Sequence, residues 1–151
     1  MSLVYQLLVD DLKALGVRQV FGLMSDDTAV FATALDSAGV RFYGARHENN
    51  AVAMAEGFSY ASGELGVAVI GRGPATDNGL HAATSASRSG SRVLIISGEA
   101  AVSAGGMNGI GPDYKAFNAT GVLAAAGIRT FVATSPAIAR GALSEKSAFG
   151  P

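Results

Sequence analysis

The chain has 151 residues, of which 49% are hydrophobic and 15% charged, with no cysteine and a net charge of −1. That length suits one domain with a sizeable core. Zero cysteines exclude disulfides and thiolate metal sites, and without a lysine/arginine cluster there is no footprint for a nucleic-acid backbone.

No stretch approaches the ~18 consecutive apolar residues of a membrane helix, and the amino terminus lacks a secretory pattern. A cytoplasmic setting is the expectation. Soluble domains usually carry about 25% charged residues. The lower value here, with a mean hydropathy of +0.32, is read as surface covered by another domain or subunit, the alternative being a small-residue-rich domain with ordinary surfaces.

Helix and strand signals alternate along the chain. Leu8, Leu12 and Leu15 fall on one stripe of a first helix, which Gly16 ends as a left-handed cap. Residues 17–23 read as a short strand. Ser25 is the expected cap of a second helix, with Asp26 and Asp27 in its first turn. Phe31, Leu35 and Ala38 would form its buried face, and Gly39 its end. A strand over 40–45 hands over to a helix over 49–61, followed by a strand over 67–70. A helix over 78–89 and a strand over 93–96 come next. Residues 98–112 contain five glycines and read as a long loop. A helix over 118–126, a strand over 128–133 and a helix over 136–143, opened by proline, complete a domain spanning 1–143. Residues 144–151 read as an irregular tail. Apolar runs such as Val67-Ala68-Val69-Ile70 fit strands covered on both faces. The expected fold is α/β: a doubly wound, mostly parallel sheet with helices on both faces.

Glu48, after Arg46-His47, stands where a strand meets a helix. In an open parallel sheet this is the ligand-binding edge. An acid in a first helical turn gains about 0.3–1 kcal/mol from the helix dipole, and that alone could explain it. The following residues, Asn49 to Ala55, are uncharged and mostly small. Burial among them would disfavour the ionised form and make Glu48 a proton donor. The run Gly71-Arg72-Gly73-Pro74-Ala75-Thr76-Asp77-Asn78 lets backbone approach a ligand. It fails the dinucleotide fingerprint, since Thr76 stands at the third glycine position. His47 and His81 are too separated to suggest a metal site. Glu56 reads as support for the fold or an interface. Arg72 could face an anion or solvent. Ser85, Ser87 and Ser89 have no base at triad spacing.

Taken together, Arg46-His47-Glu48, Met54-Ala55-Glu56-Gly57, Ala61, Gly63, Gly73-Pro74, Asn78 and residues 93–98 resemble the pyrimidine-binding, amino-terminal domain of thiamine-diphosphate enzymes. The likeness is to acetolactate synthase, benzoylformate decarboxylase and related 2-keto-acid decarboxylases, and it spans residues 3–143. The resemblance implies that Glu48 hydrogen-bonds ring nitrogen N1′ of the cofactor's aminopyrimidine and favours its imino tautomer. It implies that Gly73, Pro74 and Asn78 line the pyrimidine pocket, and that Asn118 aligns with a glutamine facing cofactor or substrate.

The sequence departs from the family at four places. Leu23-Met24-Ser25 replaces a usual Val-Pro-Gly, Ala75 replaces a glycine, Asn118 is shorter than the glutamine it aligns with, and no paired histidines mark the glycine-rich loop. The Gly-Asp-Gly…Asn motif that holds Mg²⁺ and diphosphate in the family is absent. The resemblance therefore implies half a site, completed by a diphosphate-binding domain or subunit, with a small 2-keto acid as substrate. The chain is read as one subunit of a split enzyme or as a fragment, the irregular ending slightly favouring a fragment. A homo-oligomer, a dimer or more, is expected, with Ala51, Ala55, Ser59 and Ser62 as a face for close helix approach. Two other readings remain: a non-catalytic binding or assembly protein that kept the fold, and an unrelated nucleotide-binding domain.

Overall fold

The structure, a computed structural model, describes residues 3–99 and 115–144. Most of the expected loop over 98–112 and of the tail after residue 144 lies outside the described residues.

Among the described residues, four strands form one sheet: β1 (Gln19–Gly22), β2 (Arg41–Gly44), β3 (Gly66–Ile70) and β4 (Val93–Ser97). Their order is β2-β1-β3-β4, and every neighbouring pair is parallel. Seven described helices connect and flank them: α1 (Val4–Ala14), α2 (Ala29–Ser37), α3 (Glu48–Ser62), α4 (Pro74–Asn78), α5 (Leu80–Arg88), α6 (Ala119–Ala125) and α7 (Pro136–Ser144).

Strand alternation divides the core into two layers. Val20, Val67 and Val69 join Val9 and Leu12 of α1 and Phe31 and Leu35 of α2 in one cluster. Phe21 and Ala68 join Val52 and Ala55 of α3 and Ala82 and Ala83 of α5 in another. Helices α1 and α2 thus cover one face, α3 and α5 the other. The central strand β3 is buried along its whole length, as an uninterrupted apolar run requires. The doubly wound α/β expectation holds.

The helix expected over 78–89 is present as α5, and a separate five-residue helix, α4, precedes it across Gly79. Three local expectations are corrected. Residues 128–133 form no strand. Ile128 packs against the α3/α5 cluster, but Phe131 and Val132 are 43% and 50% exposed. Apolar, β-branched composition gives strand propensity, but a strand also needs a partner, and among the described residues none pairs with this segment. The second helix starts at Ala29 behind Thr28, not behind Ser25. Ser25 instead opens a turn in which its carbonyl accepts the Thr28 N–H at 3.1 Å, so Asp26 and Asp27 precede the helix. Leu15 caps α1 and is 45% exposed, while Val9 and Leu12 are buried.

The small face of α3 is also reassigned. Ala51 and Ala55 are fully buried and Ser59 nearly so, under the protein's own sheet. A Cβ on Gly66 would lie 2.0 Å from the Ala55 carbonyl oxygen, so small residues let α3 sit directly on β3. The outer side of α3 carries Asn50, Ala53, Met54, Gly57 and Tyr60, all exposed.

Candidate active site

In this strand order the chain turns left from β1 to β2 and right from β1 to β3. The crevice between β1 and β3, outside their carboxyl ends, is where such sheets usually take a ligand. Here the protein's own groups fill it. Asp27, after β1, accepts from Arg72 Nε, after β3, at 3.0 Å. Lys115 Nζ donates to Asp27 at 2.9 Å and to Asp26 at 2.5 Å. Arg72 is 8% exposed and Asp27 14%. A Cβ on Gly98, just past β4, would meet the Asp27 Cβ at 2.9 Å, so the end of β4 closes the same space. Burial alone pushes the Asp27 carboxyl up. The hydrogen bonds from Lys115 and Arg72 outweigh it and hold Asp27 below its ordinary value. Lys115 is raised above its ordinary value by its hydrogen bonds to Asp26, the larger cause, and to Asp27. Arg72, read from sequence as facing either an anion or solvent, is buried against Asp27.

Beside this plug lies the predicted acid. His47 caps α3, its Nδ1 accepting the Asn49 N–H at 3.1 Å, and Glu48 follows as the first helical residue. The carboxylate is held at the positive end of a fifteen-residue helix. Across the edge, Gly73 adopts φ +65° and Pro74 begins α4. That helix ends at Asn78, whose Nδ2 donates to Glu48 Oε2 at 3.1 Å. The fold therefore brings Glu48, Gly73, Pro74 and Asn78 to one patch from two separate turns.

The expected apolar enclosure of Glu48 is not built by these residues. Glu48 is half-buried and Asn78 exposed. Helical periodicity turns Ala51, Val52 and Ala55 into the core, so the uncharged run packs the sheet and does not wall in the acid. Asn118 is the N-cap of α6. Its Oδ1 accepts from Gly121 N at 3.0 Å and Thr120 Oγ1 at 3.2 Å, leaving the amide nitrogen as the end that a ligand could use. His81 is exposed. Glu56 supports the fold, accepting from Ser91 Oγ at 3.1 Å.

Several site residues gave no sequence signal. Asn49 Oδ1 accepts the Ala82 N–H at 2.8 Å, tying the start of α3 to α5. The buried Thr76 shares a hydrogen bond with Ser97 across 2.9 Å. Asp27 and Lys115 are 88 positions apart, beyond any motif.

The chain matches the family model described as "Thiamine pyrophosphate enzyme, N-terminal TPP binding domain" over residues 3–130. The chain belongs to this family. The catabolic acetolactate synthase of Raoultella terrigena is 38% identical over 93 residues, covering 61% of this chain and 16% of the synthase. Human 2-hydroxyacyl-CoA lyase 2 is 34% identical over 89 residues, covering 59% of this chain and 14% of the lyase. A solved structure from Mycobacterium smegmatis, described as a thiamin diphosphate-dependent enzyme, superposes with a TM-score of 0.58 at 24% identity. It covers 68% of this chain and 20% of the other, and bears on fold alone. The chain thus spans about a sixth of the length of these relatives.

The donor set fits the pyrimidine half of thiamine pyrophosphate: one carboxylate able to exchange a proton with a ring nitrogen, an amide beside it, and a glycine-proline turn. Among the described residues no group of three His, Asp or Glu could hold a metal ion, and no helix is long and apolar enough to cross a membrane.

Proposed function

We propose that this chain supplies the pyrimidine-binding half of a thiamine-diphosphate-dependent enzyme acting on a 2-keto acid, as a decarboxylase or an acetolactate-synthase-like carboligase. A diphosphate- and Mg²⁺-binding domain, from further chain or a partner subunit, completes the site. The observation that carries this reading is Glu48 at the head of α3, fixed from the side by Asn78.

Thiamine diphosphate, when bound, supplies a thiazolium carbon that adds to a substrate carbonyl and accepts the electron pair released there. The protein's share is proton control. Asn78 occupies Oε2, which leaves Oε1 as the oxygen that would hold a proton for the ring nitrogen N1′, releasing it to the ring in one half of the cycle and taking it back in the other. The helix-dipole field at the head of α3 stabilises the carboxylate between the two. The half-buried acid becomes enclosed only when a second domain covers it, which removes water and strengthens its hydrogen bonds. Gly73 and Pro74 would bring backbone up to the pyrimidine, and the Asn118 amide nitrogen would be a donor to it.

The test is proton exchange at the cofactor's C2 carbon with the diphosphate domain present. Glu48→Gln should abolish the acceleration, and unchanged exchange would remove Glu48 from this role. A second reading, a binding or assembly protein that kept the fold, draws on the altered turn at Leu23-Met24-Ser25. It is favoured if thiamine diphosphate fails to bind both with and without a diphosphate-binding partner. The dinucleotide-binding reading loses support from the filled crevice between β1 and β3.

A further inference from the structure

Three segments far apart in sequence converge on Asp27: its own turn after β1, the Arg72 turn after β3, and Lys115. The cluster does more than close a crevice. Arg72 and Gly73 immediately precede Pro74, the first residue of α4. A Cβ on Gly73 would lie 2.1 Å from the Lys115 carbonyl oxygen, so the Lys115 backbone presses on the start of α4 while its ammonium grips Asp26 and Asp27. At mid-helix, Thr76 is fixed to Ser97 at 2.9 Å, and Ser97 Oγ also donates to the Gly71 carbonyl at 2.9 Å. The far end of this five-residue helix is Asn78, the donor to Glu48.

We propose that Asp27, Arg72 and Lys115 form a positioning cluster that sets the Glu48 carboxylate through α4. The helix acts as a short rigid lever, about 7 Å long at 1.5 Å per residue. One end is clamped by buried ion pairs, and the other presents the Asn78 amide. The roll of the helix is fixed by the Thr76–Ser97 bond, so Asn78 can meet only one oxygen of Glu48. This cluster stands directly after Leu23-Met24-Ser25, the turn that departs from the family pattern. The ion pairs hold this turn against the one after β3. The inference rests on the proposed role of Glu48 for its functional meaning, while its physical content, the coupling of Lys115 to Glu48, stands apart from any cofactor.

The experiment is nuclear magnetic resonance on the full chain without cofactor, which separates its outcome from that of the thiamine proposal. The reporters are the Asn78 side-chain amide and the Glu48 carboxyl carbon, with the backbone amides of Leu12 and Val67 as core controls. In Lys115→Met, proton exchange at the Asn78 amide should rise roughly three- to tenfold, the protection a single hydrogen bond confers. The Glu48 carboxyl signal should move while the core amides stay in place. Lys115→Arg should restore both signals. If the Asp27 carboxyl signal moves in Lys115→Met but Asn78 and Glu48 do not, the proposal is overturned. Should that variant not fold, Asp27→Asn keeps the side-chain shape and one acceptor oxygen; movement of the Asn78 and Glu48 signals with the core amides in place supports the proposal, and unmoved Asn78 and Glu48 signals overturn it.

Discussion

Asn49 caps a helix to which it does not belong. Its Oδ1 accepts the Ala82 N–H at 2.8 Å, the third amide of α5, where a capping side chain would normally reach from the residue before the helix. That residue is Gly79, which has no side chain. The start of α3, and Glu48 with it, is thereby tied to α5. Asn49→Ala should destabilise the protein by about 1 kcal/mol, the usual worth of a cap. Urea denaturation would measure it, and a change of under about 0.3 kcal/mol would show the contact to be idle.

Gly73 and Gly90 share a φ of +65°, yet their surroundings differ. A Cβ at Gly73 meets the Lys115 carbonyl oxygen at 2.1 Å, whereas one at Gly90 meets nothing within 4 Å. Gly90→Ala should cost about 1–2 kcal/mol, the left-handed backbone penalty alone. Gly73→Ala adds a backbone clash and should cost about 3 kcal/mol or more. Equal losses in the two variants, measured by denaturation, would mean that the Lys115 segment does not press on this turn.

The Asp27–Lys115 pair should shape both limbs of the pH–stability curve. Asp27 sits below its ordinary 3.8 when folded. Its contribution is therefore complete above that value and is lost as pH falls through the folded one. Lys115 sits above its ordinary 10.5, so its contribution is complete below that value and is lost as pH rises through the folded one. Asp27→Asn should lower stability at neutral pH and flatten the acid limb. Lys115→Met should flatten the alkaline limb. Thermal melts from pH 2 to 11 would record this, and limbs parallel to wild type would contradict it.

The two sides of α3 should respond oppositely to enlargement. Ala55 has no exposed surface and its carbonyl abuts Gly66, so Ala55→Leu should cost about 1–3 kcal/mol through overpacking. Ala53 is exposed, and Ala53→Leu should change the stability of the isolated chain by no more than about 0.5 kcal/mol. A stable Ala55→Leu protein would return the small face to the surface.

How much of this was legible beforehand follows from what each feature depends on. The period of apolar residues located six of the seven described helices and the four described strands, because burial on one stripe or two faces writes itself into adjacent residues; the five-residue α4 is too short to show a period. Glu48 at a strand–helix handover and the Gly73-Pro74 turn were local features too, and the sequence alone placed them at the carboxyl edge. Residues 128–133 have strand composition, yet a strand exists only if a neighbour offers its backbone, and no short window contains that neighbour. Which side of α3 meets the sheet, and which acid Lys115 finds 88 positions away, depend on how the layers pack. Linear order determined the elements and the acid; packing decided that the crevice between β1 and β3 is filled by ion pairs and that Asn78 reaches Glu48, since electrostatic and steric contacts act through space and not along the chain.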